Sequence, residues 1–331
     1  MTTISIGLLI ALFAVLAAEF VNGWTDAPNA IATVVSTGVL TPRQAVIMAV
    51  VMNTIGAMSG TAVATTVAKG IVQPSALTTA SITATMVSIV AWGTMAARFG
   101  IPVSKSHALL AGLAGAAFAG QGWDALQWVG WEKVGIGMLL SLVFGFTGAF
   151  ALGRIIIAVA ANAKPTRAKQ RFDRLQLASA AFLAFNHGLN DGQKFMGVFA
   201  LTLFTAGAVE EFHIAWWMMV TCALTMGIGT SFGGWRIIRT VGAKMTRLTT
   251  WQGFAATLSA STTIFAASHY GIPLSTTHTI TSSVVGVGAS KRVSDVRWNV
   301  LGRIAIAWIA TFPACALIAF CAGLIANRLW A

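Results

Sequence analysis

Two segments of this chain set one aspartate each among small polar residues inside otherwise apolar sequence. Residues 19–29 read EFVNGWTDAPN and residues 184–194 read AFNHGLNDGQK. Asp26 therefore lies beside Asn22, Thr25 and Asn29, and Asp191 beside Asn190, Gln193 and Lys194. A carboxylate with amide, hydroxyl and unwound carbonyl oxygens suits a hard, weakly held cation such as Na⁺, whereas a transition metal would want Cys or clustered His. A second pair of motifs carries the opposite chemistry. Residues 101–107 read IPVSKSH and residues 272–278 read IPLSTTH. Each places polar side chains two to four residues after a proline that precedes a new helix: the hydroxyls of Ser104 and Ser106 with the ammonium of Lys105 between them in one, and the hydroxyls of Ser275, Thr276 and Thr277 in the other. Free N–H groups and partial positive charge at a helix start make an anion site. Hydroxyls in the first turn fit a tetrahedral oxyanion, and neither tip carries an acid to repel one. Helix capping accounts for one hydroxyl per tip, but not for two or three followed by a histidine.

The elements that position these residues follow from composition. Of 331 residues 56% are hydrophobic and 9% charged, against roughly 25% charged in soluble domains. Several apolar runs reach the ~20 residues of a membrane span. This excludes a soluble enzyme, a secreted disulfide scaffold and a disordered chain. The net charge of +12 is read as basic cytoplasmic loops, not as nucleic-acid binding. Cys222, Cys315 and Cys321 lie within apolar runs at spacings unlike those of metal ligands, and are read as core residues. A cleaved signal peptide is not expected, because the first apolar run leads straight into a polar motif.

The motif pairs recur in order. Gly23 and Gly188, like Asp26 and Asp191, are 165 residues apart, and the two IPxSxxH segments are 171 apart. The chain reads as a duplication: a first repeat over 1–160, a basic linker over 161–174 and a second repeat over 175–331. Lys and Arg cluster in 161–174, 236–247 and 291–297, which the positive-inside rule places in the cytoplasm. The apolar runs 250–270 and 276–290 then begin and end on one side, so they form a re-entrant hairpin with IPLSTTH at its tip. Runs 77–98 and 106–120 form its counterpart from outside. Unbroken, the stretches 4–40 and 175–207 would make helices of about 55 and 50 Å, longer than a bilayer core. Breaks are expected at Pro28 and at Gly188 and Gly192. Three crossings and one hairpin per half invert the second half relative to the first, the plan of many secondary transporters. The expected fold is thus all-α and polytopic, with two inverted repeats, each holding a broken helix and a hairpin, and with both termini extracellular.

At this point the motifs resemble those of the inorganic phosphate transporter (PiT) family of cation-coupled phosphate symporters. Its duplicated G-x-N-D-x-x-N-like motif is present as GWTDAPN and GLNDGQK, and its P-x-S-[ST]-[ST]-H-like motif as PVSKSH and PLSTTH. The resemblance covers nearly the whole chain. It implies that Asp26, Asn29, Asn190 and Asp191, with Gln193 close by, serve the coupling cation. It implies that Ser104, Ser106, Ser275, Thr276 and Thr277 bind phosphate. The implied protein is no enzyme and holds no cofactor beyond Na⁺ or H⁺ as coupling ion. It works by alternating access in the plasma or bacterial inner membrane, with lipid as its surroundings and no nucleic-acid partner. Thr25 departs from the family pattern by standing where the motif has Asn. Lys105 stands where a hydroxyl is common, so that it either binds the anion or balances charge as a cation would. Sulfate or another oxyanion is the nearest alternative cargo, an anion channel the alternative class, and an intramembrane Ser–His protease the remote one. His107, His187 and His278 are read as hydrogen-bonded core residues or proton carriers, and Lys194 as a partner of Asp191. Glu19, Arg98 and Arg303 are read as helix-pairing or interfacial. The runs GLAGAAFAG (112–120) and VVGVG (284–288) allow close helix contact, within one chain or between copies in a homo-oligomer.

Overall fold

The computed structural model describes residues 5–70, 72–161 and 164–330. Among these, the regular elements are helices, apart from an isolated bridge between Val72 and Leu126. The first half runs α1 (Ile6–Ser36), α2 (Pro42–Ala57), α3 (Ala62–Gly70), α4 (Thr79–Phe99), α5 (Lys105–Gln121) and α6 (Trp128–Val159). The second runs α7 (Pro165–His187), α8 (Gln193–Thr205), α9 (Trp216–Ser231), α10 (Trp235–Arg239), α11 (Thr250–His269), α12 (Thr276–Lys291) and α13 (Trp298–Trp330). Helices α1, α4, α6 and α13 are long and apolar enough to cross a bilayer, and α2 with α3 makes a further apolar path bent by 70°. α4, the first arm of the hairpin expected over 77–120, has by itself the length of a full crossing.

The halves pack on each other reciprocally. α5 lies against α13 and α12 against α6. Both inner helices are buried along nearly their whole length, as befits helices whose polar and apolar residues do not segregate to opposite faces. The outer two bury only 17% (α6) and 28% (α13) of their most apolar stretch, leaving Phe144, Ile306 and Ile309 facing outward toward lipid. Close approach at these contacts depends on glycine. A Cβ on Gly115 would stand 2.1 Å from the Ala316 carbonyl oxygen, and one on Gly286 would stand 2.2 Å from that of Phe146. These two glycines belong to the small-residue runs read from the sequence, and they serve contacts within the chain.

The polar motif of α1 lies between two apolar clusters. Leu8, Val15 and Ala18 join one, with Met86, Leu109 and Phe195; Ala30, Ile31 and Val34 join the other, with Leu183, Val284 and Val285. Residues 19–29 thus occupy the middle of the molecule's depth.

Two expectations about the helix breaks need correction. α1 runs unbroken through Pro28. A proline removes one ladder bond, here to the Trp24 carbonyl, and α10 covers the gap: a Cβ on Gly234 would meet Pro28 Cγ at 2.3 Å and Trp24 O at 2.6 Å. The second motif is not unwound either. Gly188–Gly192 forms a single π-helical turn joining α7 to α8, a wide turn of the kind found at functional sites. The sharp break falls instead between α2 and α3. The basic segment 161–174 is helical from Pro165 onward, forming the first turns of α7; residues 162 and 163 lie outside the described residues.

Replacing Gly286 by Leu should force α12 off α6. Overpacking of this kind costs roughly 1–3 kcal/mol or more, so a marked fall in melting temperature in detergent is expected. Gly302→Ala, at a glycine with open space around it, should leave melting unchanged within a degree or two.

Candidate functional site

Each hairpin tip is built the same way. α4 ends at Gly100 in the left-handed region (φ 68°), and α11 is followed by Gly271 (φ 65°). These conformations favour glycine and turn the chain into Pro102–Val103 and Pro273–Leu274. Ser104 and Ser275 then cap α5 and α12, accepting at 3.2 Å from the N–H groups of His107 and His278. The tips meet head to head. Ser275 Oγ donates to Ser104 Oγ at 2.9 Å, Ser106 Oγ donates to the Leu274 carbonyl at 3.1 Å, and the His107 and His278 rings stack edge to face at 4.6 Å. Ser275 Oγ also bonds His278 Nδ1 at 2.6 Å, and Trp308 Nε1 ties α13 to the Pro102 carbonyl at 2.9 Å.

Both aspartates, each 1% exposed, point at this junction. Consecutive threonines reach one each: Thr277 Oγ1 donates to Asp26 Oδ1 at 2.5 Å and Thr276 Oγ1 to Asp191 Oδ2 at 2.7 Å. Asn29 Nδ2 also donates to Asp26 Oδ1 at 2.5 Å. Lys194 Nζ donates to Asp191 Oδ1 at 2.5 Å and to Ser106 Oγ at the same distance. His187 Nε2 stands 3.2 Å from Asp191 Oδ2. Oxygen or nitrogen atoms of Asp26, His187 and Asp191 lie within 4.8 Å of one another. Carboxylates 165 residues apart in sequence thus share one buried cluster with both tips.

The arrangement sorts the candidates read from the sequence. Asp26, Asn29, Asp191, Ser104, Ser106, Ser275, Thr276 and Thr277 come together. Lys105 is 2% exposed, donates to the Val103 carbonyl at 3.2 Å, and makes no ion pair among the described residues. The other four are buried but bonded elsewhere. Gln193 Oε1 accepts from the Val63 N–H at 3.0 Å, which tethers the start of α3. Asn190 donates to Ser268 Oγ at 2.8 Å, Asn22 to Glu19 at 3.1 Å, and Thr25 to the Val21 carbonyl at 2.7 Å. Among the described residues Asn22 Oδ1, Asn29 Oδ1 and Asn190 Oδ1 have no hydrogen-bond partner, so these amide oxygens could accept a cation.

Residues outside the sequence-derived set complete the cluster. Asn53, an amide within the apolar stretch of α2, bonds His187 Nδ1 at 3.2 Å and donates to Thr230 Oγ1 at 3.3 Å, fixing the ring beside Asp191. An amide inside an apolar run is the signal that could have found it. The Leu274 carbonyl, 2.6 Å from Lys194 Nζ, carries no side-chain signal at all.

A many-helix membrane protein whose duplicated acidic motifs meet duplicated helix starts in a sealed polar core belongs to the ion-handling membrane proteins. Residues 22–319 match the sequence model of the phosphate transporter family, and the chain belongs to that family. It is 42% identical over 319 residues to a probable low-affinity inorganic phosphate transporter of Rhizobium meliloti (strain 1021), covering 96% of each chain. It is 40% identical over 318 residues to a protein of the same description from Bacillus subtilis (strain 168), covering 95% of this chain and 96% of that one. A solved structure described as the sodium-dependent phosphate transporter shares the fold, with a TM-score of 0.88 at 23% identity over 98% of this chain and 100% of that one. The protein is thus a multi-pass membrane protein of a transporter family.

Thr276→Val and Thr277→Val keep side-chain shape but leave a buried carboxylate short of a donor, at a cost of about 1–3 kcal/mol each. Thermal unfolding in detergent should show both variants folded and destabilised. A melting temperature equal to the parent's in either would mean that these hydroxyls do not hold the aspartates.

Proposed function

We propose that the protein imports inorganic phosphate by symport with Na⁺ or H⁺, alternating access to the tip–aspartate cluster between the two sides of the cytoplasmic membrane. Its moving parts are two inverted repeats, residues 1–160 and 175–331, joined through the basic segment 161–174 on the cytoplasmic side, with both termini outside. The observation that carries this reading is the convergence of Asp26 and Asp191, one from each half, on the junction of two helix N-termini. An anion beside two carboxylates in a low-dielectric interior is repelled unless positive charge accompanies it. Cation and anion therefore bind together or not at all, and that is coupling.

The site divides by chemistry. Asp26 and Asp191 hold the cation, with Asn29 from the same motif and with the free amide oxygens of Asn22 and Asn190. Thr25 and Gln193 join only if their present bonds are exchanged as the site changes conformation. On the anion side stand the N–H groups opening α5 and α12, the hydroxyls of Ser104, Ser106 and Ser275, and Lys105, whose ammonium makes no ion pair among the described residues. Thr276 and Thr277 lie between the two, their protons given to the aspartates while their oxygens still accept. Buried acceptors also favour phosphate over sulfate, because protonated phosphate donates a hydrogen bond that sulfate lacks. The low-affinity phosphate transporters that resemble this chain, and the sodium-dependent phosphate transporter that shares its fold, support the same cargo and a cation as driver.

Labelled phosphate and sulfate uptake into proteoliposomes, with Na⁺ and pH gradients imposed separately, tests the reading. Phosphate should accumulate against its gradient under at least one of the two, and sulfate should not compete. Asp26→Asn and Asp191→Asn should each abolish accumulation while the protein stays monodisperse; accumulation by either variant would overturn the cation assignment. Lys105→Met should raise the phosphate KM tenfold or more, equivalent to about 1.4 kcal/mol, with melting temperature preserved. An unchanged KM would remove Lys105 from the anion site.

A further inference from the structure

Lys194 stands in the place of an ion. Its ammonium has three protons and three acceptors: Asp191 Oδ1 at 2.5 Å, Ser106 Oγ at 2.5 Å and the Leu274 carbonyl at 2.6 Å. One carboxylate, one hydroxyl and one backbone carbonyl form the all-oxygen set that a hard monovalent cation takes. They come from three separate segments: the motif's own π turn and both hairpin tips. Ser106 gives its proton to Leu274 O at 3.1 Å, which turns its lone pairs toward the ammonium. The side chain is 1% exposed, so the positive charge lies inside the cluster and not at its rim.

The other half lacks this feature. Asn29 follows Asp26 by three residues, as Lys194 follows Asp191. It donates to its aspartate at 2.5 Å in the same way. It is neutral, however, and its Oδ1 has no hydrogen-bond partner among the described residues. Among the described residues Asp26 is thus hydrogen-bonded by neutral donors, with the Lys105 ammonium near it but bonded to the Val103 carbonyl, whereas Asp191 is bonded directly by an ammonium of the chain itself.

We infer that Lys194 is a tethered coupling cation: its ammonium fills the position at Asp191 that a mobile ion would otherwise occupy, leaving Asp26 as the one place for an ion that travels with the anion. This rests on the reading of Asp26 and Asp191 as the cation carboxylates. A site with two carboxylates and no lysine between them has room for two mobile cations per cycle; here one of the two never leaves. The arrangement differs from a plain structural ion pair, which would hold two helices together wherever it stood. This ammonium is bonded to both hairpin tips as well as to its own motif, so it occupies the junction on which anion and cation converge. Glu19, fully buried and two turns before Asp26 on α1, bonds Asn22 and makes no ion pair with Lys194.

Equilibrium binding of ²²Na⁺ to the purified full-length protein, read per chain at fixed pH, tests the inference apart from transport. The parent should bind no more than one ²²Na⁺ per chain, and any it binds should be lost in Asp26→Asn. Lys194→Asn, which makes the second motif like the first, should bind about one ²²Na⁺ more than the parent. That added ion should vanish in the double variant Lys194→Asn with Asp191→Asn. Two or more ions per parent chain would overturn the proposal, and this reading needs no variant to fold. A monodisperse Lys194→Asn that binds no more ²²Na⁺ than the parent would also overturn it. Phosphate uptake is measured on the same preparations: failure of the parent to take up phosphate would count against the proposed function, while the ion count would still decide the role of Lys194.

Discussion

The structure depends on keeping two carboxylates buried in the middle of an apolar molecule. Isolated ions of this kind cost many kcal/mol to bury, so each must be surrounded by donors, and the donors come from across the fold. Asp26 is met by Thr277, 251 residues away, and by Asn29 on its own helix; Asp191 is met by Thr276 and Lys194. The hairpin tips therefore have to reach mid-depth, and their helices have to be short, small-residue and buried. Those helices then need an outer layer, which α6 and α13 provide by exposing apolar surface to lipid. The architecture follows outward from the solvation of two acids.

On the proposed reading cation and anion share one junction, so that neither binds independently of the other. Thr276 and Thr277 are then the groups through which the two would be coupled. Each hydroxyl proton is given to an aspartate, so any ligand that draws a threonine toward itself must be offset by positive charge at the carboxylate it leaves. This is a local, electrostatic form of linkage. It needs no signal passed through the body of the protein, only a cluster too small to hold one ligand without the other.

Much of this was legible in the sequence because duplication leaves a pattern that chance does not. The repeated IPxSxxH segments located both tips, and the observed helix starts at Lys105 and Thr276 fall where the prolines placed them. Polar residues inside apolar runs located the aspartates. What could not be read was which partner each polar group would choose. Gln193 looked like a member of the cation set by adjacency, yet two residues past Asp191 is about half a helical turn, and its side chain meets the start of α3 instead. Pro28 looked like a break, yet a proline removes a single ladder bond, and packing by α10 keeps α1 continuous. The bend between α2 and α3 arises where neither motif lies. The role of the Leu274 carbonyl is invisible in sequence, since every residue has one. Asymmetry was legible too: Lys105 and Lys194 stand opposite Thr276 and Asn29 in the repeat, and adjacency already paired Lys194 with Asp191; what the structure adds is the bonding of Lys194 to both hairpin tips.

The central claim is that bound cation at the aspartates is what permits the anion at the tips. The most direct measurement is equilibrium binding of labelled phosphate to the purified protein, with Na⁺ varied at fixed pH and pH varied at fixed Na⁺. The account predicts that phosphate affinity rises steadily with one of the two cations and that this dependence disappears in Asp26→Asn. Phosphate binding of unchanged affinity across both titrations would contradict it.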